Sequence, residues 1–122
     1  MAAEPLYVAE PAGRYTRYPP LVVDCSVLAA VLFDEPQREA AALAMAGKEL
    51  FAPDLIDHEM VSVALKKAAS GLVDAARRGL VDLGDLRLTR RAVNAQAQFA
   101  LASQLEITAY DAAYLQLAID LG

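Results

Sequence analysis

The stretch Leu21-Val22-Val23-Asp24-Cys25-Ser26-Val27-Leu28 decides how the chain is to be read. Three apolar residues run without alternation and stop at an aspartate. That is the pattern of a short strand buried on both faces, not of one with a solvated side. Ser26 can then cap a helix from Val27 to about Phe33. A strand that ends in a carboxylate and passes directly into a helix suits an α/β sheet, whose ligands gather beyond the carboxyl ends of the strands.

The same alternation continues downstream. Pro36 opens a helix that runs through an alanine-rich stretch to Gly47, and Leu50-Phe51-Ala52 forms a second strand closed by Pro53. Asp54 can cap a long helix through Ile56, Met60, Val63 and Leu65 to about Ser70-Gly71. A helix from Leu72 to about Leu80, a short strand near Leu86 to Leu88 and a helix from about Thr89 to Gln104 follow. Glu106-Ile107-Thr108 reads as a last strand, and Thr108 starts a helix to Leu121. The expectation is an α/β domain with a mainly parallel sheet over residues 21–122. Upstream, Pro5, Pro11, Gly13, Pro19 and Pro20 break any periodicity, so residues 1–20 read as an N-terminal extension.

Composition fits one domain. A chain of 122 residues that is 57% hydrophobic and 22% charged can bury roughly two thirds of its unfolded surface, with no room for a second core. The N-terminus lacks a basic segment followed by an apolar core, and the run Val27 to Phe33 is far shorter than the roughly 20 residues that span a bilayer. We therefore expect a cytoplasmic protein without a membrane span. A single cysteine, Cys25, excludes an internal disulfide. The net charge of -5 argues against holding nucleic acid by charge alone. Between Lys66 and Arg91, however, seven Lys and Arg stand against three Asp, a local +4 that leaves -9 for the remainder. That stretch is either a set of solvated helix faces or a patch that steers an RNA backbone.

Most carboxylates have routine places. Asp54 and Asp57 fit the cap and third positions of one helix, and Asp34, Glu35, Glu39, Glu49, Asp82 and Asp85 fall in loops or on polar faces. Three do not dissolve so easily. At about 100° per residue, Glu59 falls between Leu55 on one side and Ile56, Met60 and Val63 on the other, so it turns toward the core. There it must be paired, protonated or metal-bound, and a salt bridge to an Arg of the basic stretch is the alternative to a metal. Asp111 shares a face with Tyr114, Leu115 and Ala118 and reads as inward, but Thr108-Ala109-Tyr110-Asp111 is also a capping-box arrangement. Asp24 is either a plain helix-start residue or a ligand at the strand end. Three carboxylates gathered at one rim repel one another unless a cation neutralises them, and hard Mg²⁺ or Mn²⁺ takes such oxygens while keeping several waters. Such an ion polarises a phosphoryl oxygen and activates a bound water.

Three blocks then resemble the PIN-domain family, in particular the VapC-like ribonuclease toxins of toxin–antitoxin pairs. They are Leu21 to Leu28, Ala52-Pro53-Asp54-Leu55-Ile56-Asp57-His58-Glu59, and Thr108-Ala109-Tyr110-Asp111-Ala112-Ala113-Tyr114-Leu115. The resemblance implies a three-layer α/β/α sandwich and a Mg²⁺- or Mn²⁺-dependent endoribonuclease acting on RNA. It also implies a homodimer and a small antitoxin protein that occludes the site. By position, Asp24, Glu59 and Asp111 match the family's acidic residues, and Ser26 matches a hydroxyl residue that supports the site. Ser62 stands where the family often has Asn. The family usually continues into another strand ending in a further acidic residue, whereas this sequence stops at Gly122, so the expectation is a sheet without that edge strand and a weaker metal site. The rival reading is a PIN-like binding or scaffold module with little catalysis.

Other chemistries fit poorly. Asp24-Cys25-Ser26 lacks the second aspartate of a haloacid-dehalogenase phosphoacceptor. His58 falls on the outward side of its helix, away from any pairing with Cys25, and one histidine with one cysteine does not make an ordinary zinc site.

Overall fold

The computed structural model describes residues 18–122. Residues 1–17, most of the expected N-terminal extension, lie outside the described residues. Strand β1 (Pro20–Val22) leads into helices α1 (Cys25–Leu32) and α2 (Arg38–Met45), and strand β2 (Glu49–Pro53) into α3 (Ile56–Ala69) and α4 (Val73–Asp85). Strand β3 (Leu88–Arg91) is followed by α5 (Ala95–Leu105) and α6 (Ala109–Leu121).

The three strands form one parallel sheet in the order β1-β2-β3, with Leu21 opposite Leu50 and Leu50 opposite Leu88. Helices α1 to α4 pack on one another, as expected when parallel crossovers of one hand join strands whose order follows the chain and so cover a single face of the sheet. Helix α6 packs on β1 and β2, with α5 against it, which completes a three-layer α/β/α architecture. Leu28, Ile56 and Met60 are fully buried between α1, α3 and the sheet, and Val23 extends the ladder by donating its N–H to the Phe51 carbonyl at 2.9 Å. Helices α1 and α4 approach closely because residue 79 is glycine: a Cβ there would lie 2.2 Å from Cε1 of Phe33. Among the described residues no helix is long and apolar enough to cross a membrane.

Several local expectations are corrected. Asp24, not Ser26, caps α1: its carboxylate accepts from Val27 N, the third N–H of the helix, and Ser26 is already the second helical residue. Asp54 caps nothing, because its own N–H still bonds the Arg91 carbonyl and so continues the β2–β3 pairing; Leu55 takes the cap position instead. Helix α4 runs on to Asp85 and displaces β3 to 88–91. There Thr89 and Arg91 are exposed, as an edge position of the described sheet permits, so the apolar run sought around Leu86 was the wrong signal. Helix α5 accordingly begins at Ala95, capped by Asn94, and not near Thr89. Glu106 to Thr108 is not a strand. Glu106 ends α5 in the left-handed region at φ 55, Ile107 N bonds the Ala102 carbonyl, and Thr108 already caps α6.

Candidate active site

The carboxyl end of β1, the first turns of α3 and the start of α6 meet around one cavity of about 240 Å³, lined by Asp24, Cys25, Ser26, Glu59, Asp111 and Tyr114. All three carboxylates singled out in the sequence line it, as does Ser26. Asp24 reaches it because the buried Val23 ends the ladder and the chain turns at once into α1. Its Oδ1 accepts from Val27 N at 3.0 Å and from Ser26 Oγ at 2.7 Å. Among the described residues its second oxygen has no protein donor. One oxygen thus anchors the side chain to the helix start while the other stays available.

Glu59 is half-buried on the flank of α3, beside the fully buried Met60. The alternative of a salt bridge to the basic stretch is not realised: among the described residues its partner is the hydroxyl of Tyr114, which donates to Oε1. The Arg90 guanidinium of the basic stretch is engaged elsewhere. Arg90 Nε and Nη2 bind both oxygens of Asp57 at 2.7 and 2.8 Å, so Asp57 joins the start of α3 to β3 and is more than a helix-dipole residue. This pairing holds the Arg90 guanidinium above its ordinary pKa.

Asp111 departs from the expected orientation. The buried residues of α6 are Ala112, Ala113 and Leu117, which lie across the helix from it, so Leu115 and Ala118 on its own side are exposed, while Tyr114 is half-buried at the margin of the core. Asp111 is exposed at the rim, its N–H bonded to Thr108 Oγ1 at 3.0 Å. The stripe of Tyr114, Leu115 and Ala118 read from the sequence is therefore not the one that packs; the smaller Ala112 and Ala113, with Leu117, let the helix lie close on the sheet. Among the described residues no three His, Cys, Asp or Glu side chains are grouped closely enough to hold an ion as they stand.

Two neighbours set the chemistry. Burial, then the hydrogen bond to Glu59, pushes the Tyr114 phenol well above its ordinary pKa, so it remains a neutral donor at any physiological pH. Tyr114 was missed as a polar group and read only as part of an apolar face; its position one turn beyond Asp111 is the signal that could have found it. Burial, then the charges of Glu59, Asp24 and Glu35, pushes the Cys25 thiol up to about 11, against an opposing pull from Lys66. Cys25 Sγ instead contacts Met60 Sδ at 3.7 Å. The available anionic donors are therefore carboxylate oxygens, which suits a hard cation and not a thiophilic one.

A second cavity of about 540 Å³ adjoins the first, sharing Cys25 and Glu59. One wall is a stripe of α3 containing Leu55, His58, Ser62, Val63 and Lys66; the other is Tyr110 of α6. His58 is exposed as expected, yet it stands at the edge of this cavity.

Residues 21–122 match the family model described as PIN domain. The chain belongs to the PIN-domain family. This PIN domain is 36% identical over 109 residues to the protein named Ribonuclease VapC3 of Pyrobaculum aerophilum, an alignment covering 84% of this chain and 83% of that protein. The family match begins at Leu21, within β1, and so takes in all three carboxylates of the PIN domain's cavity.

Proposed function

We propose that this PIN domain is an endoribonuclease of the VapC type, the toxin of a toxin–antitoxin pair, with Asp24, Glu59 and Asp111 as its acidic residues. The observation that carries the reading is the meeting of three carboxylates, from three separate segments, around one cavity at the carboxyl end of a parallel sheet. A relative at 36% identity bears the name of a ribonuclease, which sets the substrate class.

Asp24, Glu59 and Asp111 would hold Mg²⁺ or Mn²⁺, which when bound polarises a phosphoryl oxygen and lowers the pKa of a water. Ser26 fixes Asp24 by donating to Oδ1, and Tyr114 fixes Glu59, so two of the three carboxylates are oriented before any ligand arrives. Asp111 is exposed and free of side-chain bonds among the described residues, so its carboxylate can turn toward a shared cation at little cost. The alanines Ala112 and Ala113 pack the base of α6 and keep Asp111 and Tyr114 in fixed register with Glu59.

On this reading the protein works in the cytoplasm, as a homodimer, and is held in check by a small antitoxin protein. Exposed Leu115 and Ile119, one turn apart on α6, with Phe99 on α5, offer apolar surface for such partners. A second reading, a PIN module that binds without cleaving, draws on the position of Asp111 at the rim.

The test is hydrolysis of a single-stranded RNA by the purified protein in Mg²⁺ or Mn²⁺, against the same reaction in EDTA and with Glu59→Gln. Metal-dependent cleavage that Glu59→Gln abolishes supports the nuclease. Absence of both cleavage and metal binding in the unmodified protein favours the binding module.

A further inference from the structure

The 540 Å³ cavity has features that the carboxylate chemistry does not use. Its α3 wall is one stripe: Leu55, Ser62 and Lys66 fall at helical spacing with Glu59 among them, so the stripe leads from the carboxylates along the helix. Lys66 is exposed and lies seven residues beyond Glu59, about 10 Å along the axis. A phosphate at Lys66 is therefore a different one from a phosphate at the carboxylates. Opposite this stripe stands Tyr110, 62% exposed, in the first turn of α6 and next in sequence to Asp111. An exposed aromatic face above an apolar floor of Leu55 and Val63, with hydroxyl and imidazole groups from Ser62 and His58 at the edge, has the size and chemistry of a site for a nucleobase.

Continuity settles which ligand these features suit. The two cavities share Glu59 and Cys25, so a strand with one phosphate at the carboxylates extends directly into the larger cavity. We propose that this cavity binds the nucleotide next to the cleaved phosphodiester of single-stranded RNA, with Tyr110 stacking on its base and Lys66 pairing with its outer phosphate. The proposal rests on the ribonuclease reading for its ligand. Stacking needs an unpaired base, so the site selects single strands over duplex.

The experiment is fluorescence anisotropy of a labelled single-stranded RNA dodecamer in EDTA, where binding is read without metal or turnover, over a salt series. Tyr110→Ala should weaken binding about 5- to 150-fold, the range for losing one stacked base, while Tyr110→Phe retains it. Lys66→Ala should lower the slope of log affinity against log salt by about 0.7, the loss of one phosphate contact to a single strand. Blunt duplex RNA should show no dependence on Tyr110. Equal affinity of wild type, Tyr110→Ala and Lys66→Ala overturns the proposal, as does a wild type that does not bind the RNA. Cleavage assays on the same proteins keep the two claims apart: loss of binding in these variants with no cleavage by the wild type sinks the nuclease and leaves the base site standing.

Discussion

The Tyr114 hydroxyl donates a hydrogen bond to the Glu59 carboxylate and so ties the last helix to the long helix across 55 residues of chain. Removing it with Tyr114→Phe leaves a half-buried carboxylate without that donor. The loss should be about 1–2 kcal/mol in urea unfolding, at the low end for a bond to a charged group because Glu59 keeps some water. Support of this kind also orients a metal ligand, so Mn²⁺ affinity by calorimetry should fall about 10-fold or more. A variant with unchanged stability and unchanged affinity would show the bond to be incidental.

Cys25 supplies a pH-dependent readout. Its thiol is held up to about 11 in the fold against 9.0 for the free group, so the native state retains the proton over that interval. The stability that this group contributes is complete below pH 9 and is lost as pH rises through about 11. At pH 8 the thiolate fraction is about 100-fold lower folded than unfolded, and alkylation by iodoacetamide should slow by a similar factor relative to the urea-unfolded chain. Equal rates in the two states would contradict the burial of this thiol beside Glu59 and Asp24.

Arg90 and Asp57 test the frame around the site. The pair is bidentate but partly exposed, with side-chain exposures of 30% and 46%, so solvent screening keeps it modest. Arg90→Ala should lower unfolding stability by about 1 kcal/mol, and by less in high salt. A loss several times larger would mean that Arg90 supports more than this junction.

Gly79→Ala sets two effects against each other. In a helix interior alanine is favoured by about 1 kcal/mol, but here its Cβ would stand 2.2 Å from the buried Phe33 ring. Overpacking outweighs propensity, and the variant should be less stable by about 1–3 kcal/mol in urea. Stabilisation would show that α1 and α4 can separate freely.

The parallel sheet was legible because Leu21-Val22-Val23 and Leu50-Phe51-Ala52 are continuous apolar runs with no other local use. Strand β3 was not, since its Thr89, Arg90 and Arg91 look like the polar start of a helix and only pairing with β2 makes them a strand. The lining of the carboxylate cavity by Asp24 and Glu59 could be foreseen, the first from the strand end and the second from a carboxylate on the flank of an apolar stripe. The orientation of Asp111 could not, because α6 carries apolar residues all round and only the sheet decides which side is covered. The ion pair of Asp57 with Arg90 and the hydrogen bond of Tyr114 to Glu59 depend on contacts 33 and 55 residues apart, which no local pattern records.

Asp24→Asn tests the central claim most directly, because asparagine caps a helix as well as aspartate does and removes only the charge. The bond to Val27 N should survive, and Tm should stay within a few degrees of the wild type. RNA cleavage in Mn²⁺, measured on the same preparation, should fall by at least about 100-fold, in line with losing a group that stabilises charge in the transition state. A folded Asp24→Asn protein that cleaves RNA at the wild-type rate would contradict the assignment of this cavity as the active site.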